Sequence, residues 1–509
     1  MNTTKYSAPL FTGANWTRPL IQATYNEIEK IALGEFGLDV YPTQIDIITA
    51  EQMLDRYARS GLPFGYPHWS YGKHFAEQER LYRSGIIGLA YEIVINTDPC
   101  IAYLMEENTM MMQALTTAHA AFGHNHFFKN NHLFKQWTDA GSILGYLAFA
   151  RDYIAKCEDE HGVAKVEQVL DSAHALENLG IERANRPQKL NLLEEKKLQG
   201  ARLEEAARTY NDLWSKTIPT RVTSAVEETR ERRRRALDLP EGNILYFIEK
   251  HAPKMEVWQR EIVRIVRKLA QYFYPQRQTK LTNEGCATFV HYETMNRLYD
   301  TGLITEGSMW EFLHMHTNVV AQRGFSKSGF SGINPYALGF AMMKDIQRVA
   351  TEPTEEDRRW FRGKDFVGTG DAWAVLRKAW ANLRDEDFIR QHLSPKVIRD
   401  FKFFSIYDSA ENKDLLVDAI HDEEGYRKIK RLLADEYDVG QTDPLIQVED
   451  VDLSGDRTLT LHHVINSGVR LDQGSVNKTL KHLASLWGYG VQLLEVDKEG
   501  TVRAEHNAR

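Results

Sequence analysis

Apolar spacing changes character once along this chain of 509 residues, near Ser394, and that change bounds the folds open to it. Before it, apolar positions recur at three and four residues over long stretches, the spacing of one helix face. Such stretches include IQATYNEIEKIALGEFGL, EQMLDRYARS, the segment from Ile244 to Leu269, TNEGCATFVHYETMNRLYDTG and GSMWEFLHMHTNVVAQ. Beyond it, FKFFSIYDSAE, DPLIQVEDVD, TLTLHHVI and YGVQLLEVD alternate as strands do, separated by helical LLVDAIHDEEGYRKIKRLLADEY and VNKTLKHLASLWG. The pattern predicts a mainly α large domain with a few short strands over residues 1–393 and a small α+β C-terminal domain over 394–509.

Within the large domain, YPTQIDIIT and the run from Ala90 to Asn96 read as extended, the latter halted by Asp98 and Pro99. The segment LPFGYPHWSYGKHF, dense in aromatics and turn formers, predicts a loop without a long regular element. EENTMMMQALTTAHAAFG predicts a helix of about 17 residues closed by Gly123 as a C′ glycine. From Glu177 to Leu239 the composition shifts to Glu, Lys, Arg and Leu, and includes the run Arg232 to Arg235. A charged helical insertion or connector is expected there, with the arginines on a solvated face.

Charge removes whole classes of function. Lys and Arg total 63 against 71 Asp and Glu, a net −8, so a general electrostatic case for nucleic acid is absent. Three scattered cysteines, Cys100, Cys157 and Cys286, make neither a disulfide framework nor a cysteine-rich zinc module, which points to a reducing compartment. No window approaches the roughly 18 apolar residues that a membrane span needs, and the first residues lack a secretory apolar core; a cytoplasmic location is expected. No G-x-S-x-G, Walker loop or G-x-G-x-x-G follows a plausible strand.

Histidine is unevenly placed. Of 18, His119, His124, His126 and His132 fall within 14 residues, and His291, His314 and His316 within 26. His119 shares a helical stripe with Asn108, Met112 and Leu115 and faces inward. His124 lies about 140° away on an ideal helix, so the pair converges only if the chain reverses at Gly123. Otherwise His119 is a core histidine and His124 a cap. Glu284 and His291 are seven residues apart, hence on one helix face, where a carboxylate and an imidazole supply the donors zinc or iron takes. The alternative is a buried Glu–His hydrogen bond. His316 is on the apolar side of its helix and needs a partner, and His314 is on the polar side.

Read together, YPHWSYGKHF, YEIVINTDPCIAYLMEENTMMMQ, AHAAFGHNHFFKNN, NEGCATFVHYETM, HTNVV and INPYALGF resemble the stage V sporulation protein R (SpoVR-like) family. The likeness runs from about Trp16 to Arg348 and extends more weakly through the C-terminal region. It implies a cytoplasmic bacterial protein linked to spore cortex assembly, stress response, and to a PrkA-type serine kinase and a YeaH-type protein as partners; it does not name a reaction. A fainter likeness joins Asn283-Glu284-Gly285 and Ala287 to the Asn-Glu-x-x-Ala helix of gluzincin metallopeptidases. On it, His119, His124 and Glu284 would bind zinc. The histidines are, however, separated by four residues instead of three, and Ala120 stands where the catalytic glutamate belongs.

The expectation is therefore a divalent metal site, zinc by donor type, on His119, His124 and Glu284. His291 is the expected fourth ligand or acid/base, Glu107 or His291 the expected general base, and His316 and Asn108 support the site. The chemistry expected is metal-assisted hydrolysis, with a cell-wall peptide or precursor amide as substrate class. A non-catalytic scaffold working with the kinase is the competing expectation. A di-iron carboxylate site lacks its paired Glu-x-x-His motifs.

Overall fold

The computed structural model describes residues 8–59, 64–83, 91–183, 234, 237–322, 332–407, 416–419, 421–453, 455–465 and 470–509. Most of the charged segment 177–239, including its arginine run except Arg234, lies outside the described residues. The chain divides into two compact units, one of residues 1–149 and 275–439, the other of 150–274 and 440–509.

The first unit is mainly helical around a small sheet. Strands β1 (Thr43–Ile48), β2 (Glu92–Ile95) and β3 (Cys100–Met105) lie in the order β1-β3-β2, with β1 parallel and β2 antiparallel to β3. The central strand is buried from Cys100 to Leu104, which is why its sequence reads as a continuous apolar run. Helix α1 (Arg18–Glu29) starts at Thr17, whose side chain accepts from the Leu20 amide; α2 (Ala50–Ala58) starts at a Thr49/Gln52 capping box. Helix α3 (Trp69–Arg83) begins inside the aromatic segment that the sequence predicts as loop, just beyond Pro67, with His68 Nδ1 and Ser70 Oγ 2.6 Å apart at its start.

Helix α4 (Met110–Thr117) is buried at every residue. It does not stop at Gly123: it passes into a π-helical turn, Ala118–His124, and on into α5 (Asn125–Asn130). Further along, the unit includes α6 (Lys280–Asp300), α7 (Glu306–Val319), α8 (Pro335–Thr351), α9 (Glu355–Trp360), α10 (Ala372–Asn382), α11 (Asp385–His392) and α12 (Glu423–Tyr437). Asp385 fixes the start of α6, accepting from the Leu281 and Thr282 amides, each at 2.8 Å, and from Thr282 Oγ1 at 2.7 Å. Glycines let α6 and α8 touch backbone to backbone. A Cβ on Gly285 would sit 2.7 Å from Gly339 Cα.

One hydrophobic cluster, with Phe122, Phe289, Phe312, Leu338, Trp380 and Phe388 fully buried, binds these helices together, and Tyr426, Ile429, Leu433 and Ala434 of α12 belong to it. The described residues of 394–439 therefore pack with the helical unit, and the division between units falls at 439/440. Short strands misdirect the sequence argument here: Ser405–Tyr407 pairs with Leu416–Ala419, a segment expected to be helical, but both are annexed to this unit.

The second unit carries a four-stranded sheet, β4 (Ile446–Val451), β5 (Leu459–Val464), β6 (Val491–Val496) and β7 (Val502–Ala508), in sequence order. The β5/β6 pair is parallel, joined through α13 (Gln473–Trp487), which ends at Gly488 in the left-handed conformation with φ +84°. Helices Val163–Ala175, Ile244–His251 and most of Val257–Gln278 belong to this unit as well.

Candidate metal centre

The π-turn brings the two histidines together. Its hydrogen bonds run between residues five apart, as from the Asn125 amide to Ala120 O, so residues five apart stack instead of diverging by 140°. The His119 and His124 rings are 4.6 Å apart, nearly perpendicular. Gly123 contributes by the absence of a side chain, since a Cβ there would meet Ala287 Cα at 2.5 Å. Ala287 lies three residues after Glu284 and four before His291, on the same face of α6. Where the backbones touch, Glu284 is thus delivered to one side of the π-turn and His291 to the other.

His119, His124 and Glu284 each offer one ligand atom, and these atoms lie within 4.8 Å of one another. Glu284 Oε2 is 3.5 Å from His124 Nε2 and 3.9 Å from His119 Nε2. An ion at ~2.1 Å from each donor needs donors about 3.4 Å apart, so the set closes with shifts of an ångström or so. His119 Nε2 and Glu284 Oε2 are buried and have no hydrogen-bond partner.

The opposite ring nitrogens are held. His124 Nδ1 is 2.9 Å from Asn283 Oδ1, an acceptor, so the ring proton sits on Nδ1 and the Nε2 lone pair faces the cluster. His119 Nδ1 is 2.9 Å from His291 Nδ1, and His291 Nε2 is 3.0 Å from His316 Nδ1. His291 stands outside the three donors that lie within 4.8 Å of one another. Both of its nitrogens are engaged, and it backs His119 while His316 backs it. Burial, then neighbouring imidazoles, pushes His119 and His291 well below the usual histidine range, and burial brings His316 down to about 4; the chain of rings is neutral at pH 7.

Glu92, unsuspected from the sequence, enters at the head of β2. Its Oε1 is 3.6 Å from His119 Nε2, and its side chain retains 17% exposure. Burial, then the Glu284 charge, pushes its carboxyl up to about 8. Tyr336, one turn before Gly339, lies beside the same carboxyls; burial, then Glu284 and Glu92, hold its hydroxyl well above the usual phenol range. Two acidic side chains, Glu284 and Glu92, and two imidazoles, His119 and His124, thus converge at one point.

The other expected residues fall elsewhere. Glu107 is exposed and accepts from the Ala50 amide at 3.4 Å at the start of α2, because the chain turns before α4 instead of continuing its stripe. Asn108 is buried, with Nδ2 donating to Tyr91 O at 3.0 Å, and so fixes the residue that precedes Glu92. His314 is exposed, 3.5 Å from Asn318 Nδ2, and His126 Nδ1 is bound to the Asp39 backbone at 3.0 Å. The signals for the missed residues were faint. Glu92 opens a short strand whose facing no local pattern fixes, whereas Asn283 and Tyr336 stood inside motifs quoted for other reasons.

Residues 15–442 match the family described as SpoVR like protein, and residues 444–498 match the SpoVR-like C-terminal domain. The chain is 52% identical over 498 residues to the uncharacterized protein YcgB of Escherichia coli (strain K12), covering 98% of this chain and 96% of that protein. No solved structure matches the chain. Two family models that between them span nearly the whole chain, and a relative sharing half its residues, make it a member of the SpoVR family.

Proposed function

We propose that His119, His124 and Glu284 hold a divalent metal ion, zinc by donor type, and that the chain is a metal-dependent hydrolase. Two orphaned, buried donor atoms facing each other across a His/His/Glu triangle carry this reading. Burying such groups unpaired costs a few kcal/mol unless something binds them. The held Nδ1 atoms of both ligand histidines add the outer support that metal sites use. A bound ion there would polarise a carbonyl and lower the pKa of a bound water toward ~7. Glu284, His119 and His124 bind and orient, and the Tyr336 hydroxyl is placed to donate to an oxygen at the cluster.

Membership of the SpoVR family supports a sporulation-associated protein. With that link, an amide of a cell-wall peptide or its precursor is the proposed substrate class. A PrkA-type kinase and a YeaH-type protein are the proposed partners, and the cytoplasm the proposed compartment. No described helix is long and apolar enough to cross a membrane. Metal analysis of the purified full chain beside His119→Ala and Glu284→Ala tests the reading. About one zinc per chain is expected in the wild type and a small fraction of that in either variant. Equal, negligible metal in all three would sink it and favour the scaffold.

A further inference from the structure

The residue after His119 is Ala120, fully buried, so the helix that supplies both histidines supplies no carboxylate to move a proton. We infer that Glu92, reaching in from the sheet, is that carboxylate: it takes the proton from a water or an acidic ligand held at His119, His124 and Glu284. This rests on the metal reading above.

Position argues for it first. Glu92 Oε1 stands 3.6 Å from His119 Nε2, yet Glu92 lies outside the set of donors that all fall within 4.8 Å of one another. It therefore stands at the edge of the triangle, where a proton acceptor for a held water belongs. Its backbone is fixed from two directions. Glu92 pairs with Leu104 on β3, and Tyr91 O accepts both the Met105 amide at 3.2 Å and Asn108 Nδ2 at 3.0 Å. Its side chain keeps 17% exposure, while His119 and His124 are buried.

Elimination argues for it second. His291 has both ring nitrogens engaged, and Glu107 is exposed at the start of α2.

Acetohydroxamic acid is a suitable probe because it chelates zinc only after losing its hydroxyl proton. The O–H bond breaks, the proton forms a new O–H bond on a Glu92 carboxylate oxygen, and the hydroxamate oxygens take the ion. Zinc content and acetohydroxamate affinity, the latter by calorimetry, are measured on the full-length wild type, Glu92→Gln and His119→Ala. Glu92→Gln is expected to hold as much zinc as the wild type but to bind acetohydroxamate at least about tenfold more weakly. Unchanged affinity in zinc-loaded Glu92→Gln would overturn the inference, and so would loss of zinc from that variant, which would make Glu92 a ligand. A wild type that holds no zinc would instead overturn the metal reading, and the role of Glu92 with it.

Discussion

Gly123 is the residue on which the centre turns, for packing reasons. Any side chain there runs into the α6 backbone at Ala287, so Gly123→Ala must separate the π-turn from α6 or shift both. Overpacking of this kind costs about 1–3 kcal/mol, and here it also pulls Glu284 away from the histidines. Denaturant unfolding and zinc titration of Gly123→Ala should show both losses together; a variant with wild-type stability and zinc affinity would contradict the geometry. His291 makes a second case. It stands outside the three-donor cluster but fixes the ring of His119, and the loss of such outer partners typically costs 10–100-fold in metal affinity. His291→Ala should bind zinc weakly at unchanged stoichiometry, whereas complete loss would return His291 to the ligand set. These residues differ in how legible they were. The convergence of His119, His124 and Glu284 follows from spacing and a resemblance. The true means of convergence did not, because nothing in AHAAFGH distinguishes a π-turn from a helix that ends at its glycine.

Among elements, the helices were legible because their apolar faces recur over many turns, and α6, α7 and α13 fall close to where the spacing puts them. Short strands were not, since three or four residues carry too little pattern. Leu416–Ala419 reads as helix and forms a strand, and β7 went unseen with its mixed VRAEHNA. Helix α9 shows what holds one element to the next. Arg348 of α8 bonds Asp345 at 2.8 Å and Asp357 of α9 at 2.6 Å, and Asp357 also closes the Thr354 capping box. Burial alone would raise the Asp357 carboxyl, but the Arg348 and Thr354 hydrogen bonds override it and hold it down at about 2, below its ordinary 3.8. A folded-state value below the unfolded one adds stability above about pH 4, which is lost as pH falls toward 2. Arg348→Ala should therefore destabilise the protein by about 2–3 kcal/mol at pH 7, since it strands a buried carboxylate beside a partner that is itself partly exposed. The gap from wild type should narrow below about pH 4. A gap that is flat from pH 7 to pH 2 would show that the ion pair is not its source.

At the scale of the molecule, the two compact units are not contiguous in sequence. Residues 150–274 and 440–509 form one unit although 165 residues of the other unit separate them, from 275 to 439, and no spacing rule reports such an excursion. The centre lies wholly within the other unit, so zinc at about 100 times its Kd should stabilise that unit by about 2.7 kcal/mol. Calorimetry with and without chelator should move the melting transition of the wild type and leave that of His119→Ala in place. Zinc-dependent shifts of equal size in both proteins would locate the ion elsewhere. The most direct measurement is a crystal structure of zinc-loaded protein with anomalous data at the zinc edge. One peak is expected, about 2.0–2.2 Å from His119 Nε2, His124 Nε2 and a Glu284 oxygen. A zinc peak at any other residues, or an empty triangle in zinc-saturated crystals, would contradict the assignment.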